Sequence, residues 1–387
     1  MRSVSVIGIG ETKMGRYPER GLREMLREAG GNAIADAGID KSRIQAAYIG
    51  NFNGAFFCNQ NHFGAMVTEE LGLQNTPSMR TEGACASGSL AFRVGYLSIA
   101  SGMYDIVLVG GVEKMCHQTT EVITQGIASG MDYELEANFG LTFPANFALI
   151  ASRYFYEYRN IKNEMAMCAV NAHRNGRLNP DAQMQKEITI ESALNSAVIS
   201  SPLNLYDCSL TTDGSAFVVL AATEIAKAQK KHRIVEIVGT GHAGNNLTLY
   251  SKPAITSFPA AKDAAAQAYR QANLTPSDID FAEVHDCFTI TQIINMEDLG
   301  FYAPGKAANA VAEGQIALEG RLPINTSGGL KAKGHPIGAT GISQIFEIVT
   351  QIRGGSGARQ VKRADIGLQH NIGGTAGTAV VNIFRGR

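Results

Sequence analysis

The order of strand and helix patterns occurs twice along this chain, and this repeat limits the fold more than any single motif. Residues 4–10 form a short apolar run that ends in glycines, and residues 21–37 follow with a helical pattern. The same order begins again at residue 232, where an apolar run precedes a helical pattern over residues 260–273. Repetition of a whole series of elements indicates internal duplication, and alternation of strands with helices indicates layered α/β sheets.

The repeat divides the chain into two halves and one insertion. We assign residues 1–118 and 209–231 to the N-terminal half, and residues 232–387 to the C-terminal half. Residues 119–208 lack the strand–helix alternation and are richer in Met, Asn, Tyr and Phe. We predict that this insertion is largely helical and covers the active face.

Charge and composition exclude several classes of function. The 387 residues carry a net charge of −1 with no long run of either sign, whereas nucleic-acid grooves and anionic-membrane surfaces need a concentrated basic patch. No apolar run approaches the ~20 residues of a membrane span, and the N-terminal segment lacks a signal-peptide pattern. The six cysteines include no C-x-x-C pair, which argues against a metal site or a disulfide framework. We therefore expect a cytoplasmic protein that binds neither nucleic acid nor a membrane.

One cysteine stands in a setting that favours reactivity. Residues 80–95 place Cys85 among small residues at the predicted start of a helix. Free backbone N–H groups and the positive end of the helix dipole favour a thiolate there, so we expect a pKa below the ~8.5 of a free cysteine. The alternative is that Cys85 is a small buried core residue, as free cysteines commonly are.

Three other stretches present polar residues in glycine-rich turns or at a strand end. KGHPIGATG (333–341) holds His335 in a turn before a helix, and VHDCF (284–288) places His285 and Cys287 at the end of a strand. QHNIGG (369–374) offers a glycine turn and His370. A nucleophilic cysteine, a histidine base and a second cysteine beside a histidine form a candidate acyl-transfer site. Each residue also has a structural interpretation, as a hydrogen-bonded histidine or a core cysteine.

These motifs together resemble the thiolase superfamily over essentially the whole chain. The resemblance rests on EGACASGS (82–89), GHPIGATG (334–341), the duplicated pattern with its long insertion, and the C-terminal glycine turn. VHDCF is similar to the sterol-carrier-protein-2-type and archaeal thiolases, whereas many other members have N-E-A-F there and a second catalytic cysteine in C-x-G. Asn371 stands in the place of that cysteine here, and Cys287 is the candidate replacement. The implied fold is α/β, with duplicated βαβαβαββ halves forming a five-layered αβαβα core with a loop-domain insertion.

The resemblance also implies roles for individual residues. Cys85 would take the acyl group, and His335 would accept the cysteine proton and later polarise a carbonyl. His285 would bind the enolate oxygen of a second acyl-CoA, and Cys287 would act as the general acid and base at the α-carbon. The N–H groups of Cys85 and Gly373 would hold the carbonyl oxygen of the acyl-cysteine.

Coenzyme A thioesters are the implied substrates, with no cofactor bound permanently. The insertion would cover the pantetheine arm and meet the nucleotide phosphates, although a solvated charged surface explains its basic residues equally well. A loop at 239–245 is a second candidate for pantetheine contact. The CoA-binding candidates are Phe143, Arg174, Arg177, His242, Ala243 and Gly244.

Two other functions stay open beside a thiolase that makes or cleaves a 3-oxoacyl-CoA. One is a C-acyltransferase with the same fold that acts on an acceptor other than CoA. The other is a scaffold or channelling subunit of a multi-enzyme complex. The resemblance implies a homodimer or tetramer, and it suggests a small zinc-ribbon/OB-fold partner protein and a hydroxymethylglutaryl-CoA synthase as partners.

Overall fold

The buried apolar runs form the strands of this protein, for which a computed structural model describes residues 2–387. The strands are β1 (Val4–Glu11), β2 (Ala46–Gly50), β3 (Ser78–Thr81), β4 (Ile106–Glu113), β5 (Val198–Ser200), β6 (Leu203–Asn204), β7 (Gly214–Ala222), β8 (Val235–Gly244), β9 (Phe281–Glu283), β10 (Ile366–Gly373) and β11 (Thr378–Gly386). The helices are α1 (Leu22–Ala37), α2 (Gly54–Cys58), α3 (Phe63–Leu71), α4 (Ser87–Ala100), α5 (Thr120–Ala128), α6 (Phe143–Glu157), α7 (Lys162–Arg177), α8 (Ile190–Leu194), α9 (Thr223–Gln229), α10 (Pro259–Ala272), α11 (Thr289–Asp298), α12 (Ala307–Ala312), α13 (Gly329–Ala332) and α14 (Thr340–Ile352).

The two halves of the main sheet have the same topology. The strand order is β3-β2-β4-β7-β1-β8-β11-β10-β9, and antiparallel pairing of β1 with β8 joins the halves. In the first half β3, β2 and β4 are parallel, while β7 runs antiparallel to both β4 and β1. In the second half β9 and β10 are parallel, while β11 runs antiparallel to both β10 and β8. A parallel bridge between Ala282 and Ile324 takes the place of β3. The predicted duplication is thus confirmed.

Three apolar clusters separate the layers of the core. On one outer face, α1 buries Met25 and Leu26 against the first half of the sheet. Between the halves, α4 and α14 pack together through side chains such as Phe92 and Ile345. On the other outer face, α10 covers the second half with a row of alanines. The order helix, sheet, helices, sheet, helix is the expected five-layered core.

The segment at 239–245 is not the loop that the sequence suggested. Residues His242 and Ala243 belong to β8, where they pair with Val380 and Ala379 of β11. The glycines of this segment mark close packing: a Cβ on Gly241 would lie 1.8 Å from the carbonyl oxygen of Ala264 in α10. Glycine is needed here because the helix backbone lies against the strand, not because the chain turns.

This contact predicts a large stability effect for a one-methyl substitution. Gly241→Ala is expected to lower the free energy of unfolding by about 3 kcal/mol, because the blocking atom belongs to the backbone of α10 and cannot move aside cheaply. Gly31→Ala is the matched control, since Gly31 lies inside α1 with nothing within 4 Å of the added Cβ. The free energy of unfolding of the control should rise by about 1 kcal/mol, because alanine has a higher helix propensity than glycine. Guanidinium unfolding of both variants checks this, and equal stability of the two would contradict it.

The segment 119–208 contains α5, α6, α7 and α8 with the short β5–β6 pair, so it is mostly helical as expected. It is not a detached cover, because Tyr154 and Met165 are fully buried in the core of the second half. The boundaries assigned from the sequence stay predictions. Among residues 2–387, no helix combines the length and apolar character that crossing a membrane requires.

Candidate active site

Cys85 lies in a short 3-10 turn, Ala84–Ala86, that leads directly into α4. Ala84 has a φ of 50°, in the left-handed region that residues other than glycine rarely occupy. Ser87 stabilises the turn, since its hydroxyl donates to the Ala84 carbonyl at 2.6 Å and accepts from the Gly83 N–H at 3.1 Å. The turn presents the Cys85 thiol at the end of the first half of the sheet.

Two histidines from the second half meet Cys85. His335 lies in the turn before α14, and His285 follows the end of β9. Their ring centroids are 5.4 Å apart with the rings nearly perpendicular. Cys85 Sγ and one ring nitrogen from each histidine all lie within 4.8 Å of one another. The sequence separates these residues by up to 250 positions, and the fold brings them together.

Cys287 completes the group and is buried. Its thiol lies 3.7 Å from Thr291 Oγ1, and it lines the same cavity as Cys85 and His335. Its neighbour Asp286 has a structural role, because its carboxylate accepts the Leu330 N–H at 2.7 Å. Within the HDC sequence, Asp286 thus bonds to the backbone of α13, while His285 and Cys287 belong to the candidate site.

Gly373 ends β10 where the two glycine-rich turns touch. A Cβ at this position would lie 2.2 Å from the Gly83 carbonyl oxygen, so the backbones approach as closely as they can. The adjacent Gly374 lines the cavity, and its N–H favours the thiolate form of Cys85. Gly373 stays the predicted donor to the carbonyl oxygen of the acyl-cysteine.

Thr340 fixes the tautomer of His335. The Thr340 hydroxyl donates to the Pro336 carbonyl at 3.1 Å, so its oxygen is free to accept from His335 Nδ1, which lies 2.7 Å away. Nδ1 therefore carries the proton, and Nε2 keeps its lone pair. The His335 backbone N–H donates to Thr212 Oγ1 at 2.9 Å, which holds the turn itself.

Burial keeps the group neutral in the free protein. Burial raises the pKa of Cys85 to about 12, although the Gly374 N–H partly opposes this, and burial lowers the pKa of His335 to about 3. Burial and the nearby Cys85 raise the pKa of Cys287 well above its ordinary value. The expectation of a thiolate at Cys85 was wrong, because the cost of burying a charge exceeds the effect of the helix dipole.

The pH dependence of Cys85 alkylation should therefore be that of a protonated thiol rather than that of a thiolate. We expect its rate with iodoacetamide to rise about tenfold per pH unit from about pH 7 to about pH 10, without a plateau. The sign follows from the raised pKa, which leaves the sulfur protonated at neutral pH. Mass spectrometry of the Cys85 peptide measures the rate apart from the other cysteines. A plateau below about pH 8 would instead indicate a thiolate–imidazolium pair.

The site opens into an apolar cavity of about 480 Å³. Arg16 is the one charged residue other than histidine among the described residues of its lining, and its guanidinium donates to Thr211 at 3.3 Å. Cys208 also lines the cavity. The apolar side chains of the lining are Met115, Ile123, Ile127, Phe143, Pro144, Phe147, Ile199, Leu210, Phe288 and Ile337.

The predicted CoA-binding residues do not meet in one place. Phe143 lines the cavity. Arg174 and Arg177 lie on the surface of α7, where they pair with Glu319 and Glu187 respectively. His242, Ala243 and Gly244 lie at the end of β8, outside the lining of this cavity.

Sequence reasoning missed a buried carboxylate that ties the turns of the site together. Glu113, the last residue of β4, accepts the N–H groups of Phe52 and Gly338, both at 2.9 Å. Gly338 belongs to the GHPIGATG turn, so one side chain links the first half to the turn that carries His335. Burial raises the pKa of Glu113 to about 7, while these N–H groups oppose the shift. The sequence signal that could have identified Glu113 is its position at the end of the apolar run that forms β4.

Models of protein families match both halves of the chain. Residues 4–224 match the model described as thiolase, N-terminal domain. Residues 241–386 match the model described as thiolase C-terminal domain-like. Together they cover almost the whole sequence and divide it near the start of β8.

Similar proteins span the full length of this chain. An acetyl-CoA acetyltransferase from Methanothermobacter thermautotrophicus is 44% identical over 386 residues, covering 99% of this chain and 100% of that protein. An acetyl-CoA acetyltransferase from Methanocaldococcus jannaschii is also 44% identical, covering 99% of both. Sterol carrier protein 2 from Oryctolagus cuniculus is 33% identical, covering 99% of this chain and 72% of the relative.

Solved structures agree with these matches. The Ltp2-ChsH2(DUF35) aldolase has a TM-score of 0.87 and 27% identity, covering 99% of this chain and 98% of that one. An acetyl-CoA acetyltransferase from Syntrophomonas wolfei has a TM-score of 0.76 at 18% identity over both full chains, which shows a shared fold. By its sequence matches over both halves and by its fold, this chain belongs to the thiolase family.

Proposed function

We propose that this protein exchanges acyl groups between coenzyme A thioesters through an acyl-Cys85 intermediate, making or cleaving a 3-oxoacyl-CoA such as acetoacetyl-CoA. The observation that carries the proposal is the meeting of Cys85, His285 and His335 beside an apolar cavity that Cys287 also lines. The names of the archaeal relatives, both acetyl-CoA acetyltransferases, support acetyl-CoA as the substrate.

The first half-reaction loads the cysteine. His335 Nε2 takes the Cys85 proton while the sulfur attacks the thioester carbonyl, and the N–H groups of Cys85 and Gly373 receive the oxyanion. The C–S bond to CoA breaks, and the CoA thiolate takes a proton from Cys287 as it leaves. The enzyme then holds an acetyl group on Cys85, a protonated His335 and a Cys287 thiolate, with no change in net charge.

The second half-reaction forms the carbon–carbon bond. The Cys287 thiolate removes an α-proton from a second acetyl-CoA, and the enolate oxygen receives hydrogen bonds from His285 and protonated His335. The α-carbon attacks the acetyl group, and the Cys85 sulfur departs with the proton of His335. Acetoacetyl-CoA is released, and every residue returns to its starting protonation state. Cleavage is the same sequence in reverse.

The cavity is suited to the pantetheine arm, since its lining is apolar and it reaches Cys85. Phe143 contributes to its wall within residues 119–208, which we propose to cover the bound CoA. Arg174, Arg177, His242, Ala243 and Gly244 are retained as candidates for contact with the rest of the CoA molecule. Phe143 is the best supported of the set, because it alone lines the cavity.

We further propose that the protein acts in the cytoplasm as a homodimer or tetramer. A small zinc-ribbon/OB-fold protein and a hydroxymethylglutaryl-CoA synthase are the candidate partners. Likeness to a structure whose name joins Ltp2 to a DUF35 component supports an accessory partner protein. Co-purification from the native cell is the direct measurement.

Trapping the acyl-enzyme tests the reaction. Purified protein is incubated with isotope-labelled acetyl-CoA, and the label is located by peptide mass spectrometry. We expect label on Cys85 that is lost on adding unlabelled acetyl-CoA, with acetoacetyl-CoA as the product. Label that leaves only with an acceptor other than CoA would favour the related C-acyltransferase. No label, even with a partner present, would overturn the proposed reaction and favour a scaffold.

A further inference from the structure

A chain of buried side-chain hydrogen bonds begins at a backbone carbonyl behind the site. Gln344 Nε2 donates to the His370 carbonyl oxygen at 3.1 Å. A carbonyl oxygen only accepts, so Gln344 must turn its own Oε1 towards Gln369, whose Nε2 lies 2.8 Å away. The other proton of Gln369 Nε2 goes to Ser89 Oγ at 2.9 Å. Each amide is therefore oriented by its neighbour, and the series starts at the His370 carbonyl oxygen, which can only accept a hydrogen bond.

The same chain of hydrogen bonds ends on His285. Because Ser89 Oγ accepts from Gln369, its own proton goes to Asn371 Oδ1 at 3.1 Å. Asn371 must then turn its Nδ2 towards His285 Nδ1, which lies 2.8 Å away. An amide nitrogen only donates, so Nδ1 of His285 is an acceptor and the ring proton lies on Nε2.

We propose that Asn371 is a positioning residue that holds His285 in its Nε2–H tautomer, so that this proton meets the enolate oxygen. The inference rests on the proposed function and deepens it. His285 is fully buried, and its Nε2 has no hydrogen-bond partner among residues 2–387. Buried donors without partners are rare, and one beside a nucleophile is what a developing oxyanion requires.

Charge and metal chemistry agree with this assignment. Burial, with His335 and His370 nearby, lowers the pKa of His285 well below its ordinary value, so the ring is neutral and its tautomer matters. Cys85, His285 and His335 together resemble a set of zinc ligands in type and spacing. A nitrogen that carries a proton cannot bind a metal, so the tautomer set by Asn371 directs His285 to donate instead.

The ring proton of His285 is measured directly by nitrogen-15 NMR of histidine-labelled protein. The chain has eight histidines, so the His285 signals are assigned by comparison with His285→Gln. In the wild type at neutral pH we expect an unprotonated Nδ1 and a protonated Nε2. A protonated Nδ1 would overturn the proposal, whatever the activity of the protein.

The matched kinetic test uses Asn371→Leu, which removes the donor without adding charge. We expect condensation to fall by about 100-fold, while acetylation of Cys85 by labelled acetyl-CoA stays within about twofold of the wild type. Asn179→Leu is the control, because it also removes a buried amide donor, one that bonds the Ser327 carbonyl at 2.8 Å and not His285. In this control the ratio of the condensation rate to the acetylation rate should be the same as in the wild type.

The outcomes separate this proposal from the proposed reaction. Equal loss of acetylation and condensation in Asn371→Leu would mean that Asn371 only supports folding, which overturns the positioning role. Absence of acetylation in the wild type would overturn the reaction, while the NMR result would still decide the tautomer. If Asn371→Leu does not fold, Ser89→Ala removes the donor to Asn371 Oδ1 and should lower the same ratio by a smaller factor.

Discussion

Cys85→Ser is expected to lower the rate of acetoacetyl-CoA formation by on the order of 10⁵-fold. Its hydroxyl is a far weaker nucleophile than sulfur, and burial already holds the pKa of the wild-type thiol at about 12. The nearby His335 Nε2 has to take the proton in the same step as the attack, and a serine proton is harder to remove. Steady-state turnover measures the loss of acetoacetyl-CoA formation, and acetyl-enzyme trapping separately measures the loss of acetylation at position 85.

The control for this variant is Cys168→Ser, which changes a buried core thiol that does not line the cavity. It should keep wild-type acetylation, although its stability will fall. Retention of more than about a tenth of the wild-type rate by Cys85→Ser would contradict a covalent role for this residue.

Cys287→Ala is expected to separate the two half-reactions. Acetylation of Cys85 should stay within about threefold of the wild type, because the CoA thiolate is a stable leaving group that can take its proton from water when Cys287 is absent. Condensation should fall by about 10³-fold, since general acid–base catalysis contributes on this scale. Burial raises the pKa of Cys287, which makes its thiolate a base strong enough for a weak carbon acid. The acetyl-enzyme should therefore accumulate.

Deuterium exchange gives the decisive measurement for Cys287. In deuterated water the wild type should introduce deuterium at the α-carbon of acetyl-CoA, and Cys287→Ala should not. Cys168→Ala is the matched control for the loss of a buried thiol. Exchange at the wild-type rate in Cys287→Ala would place the α-carbon base on another residue.

The sequence predicted the fold well because its strongest signals are periodic and repeated. The helical pattern at 21–37 became α1 (Leu22–Ala37), and the apolar runs of the two halves became β1 and β8. The segment at 239–245 was misassigned because glycine marks both turns and close helix–strand packing, and only the position of α10 distinguishes them. Local residue types do not carry that information.

The candidate site was predictable in its reactive atoms but not in their environment. Cys85, His285, Cys287 and His335 stand in recognisable motifs. The structure places Cys85, Cys287 and His335 on the lining of one cavity, with His285 beside Cys85 and His335. Their protonation was not predictable, because burial depends on residues distant in sequence. The hydrogen bond from Asn371 to His285 joins positions 86 residues apart and has no local signature.

The two turns that begin α4 and α14 occupy equivalent places in the repeat, yet one carries cysteine and the other histidine. A symmetric pair of identical single-repeat chains would have to present the same residue at both places. Covalent fusion of the two copies removed that constraint, so each copy could change alone. The division of labour between nucleophile and base thus depends on the repeat being carried within one polypeptide.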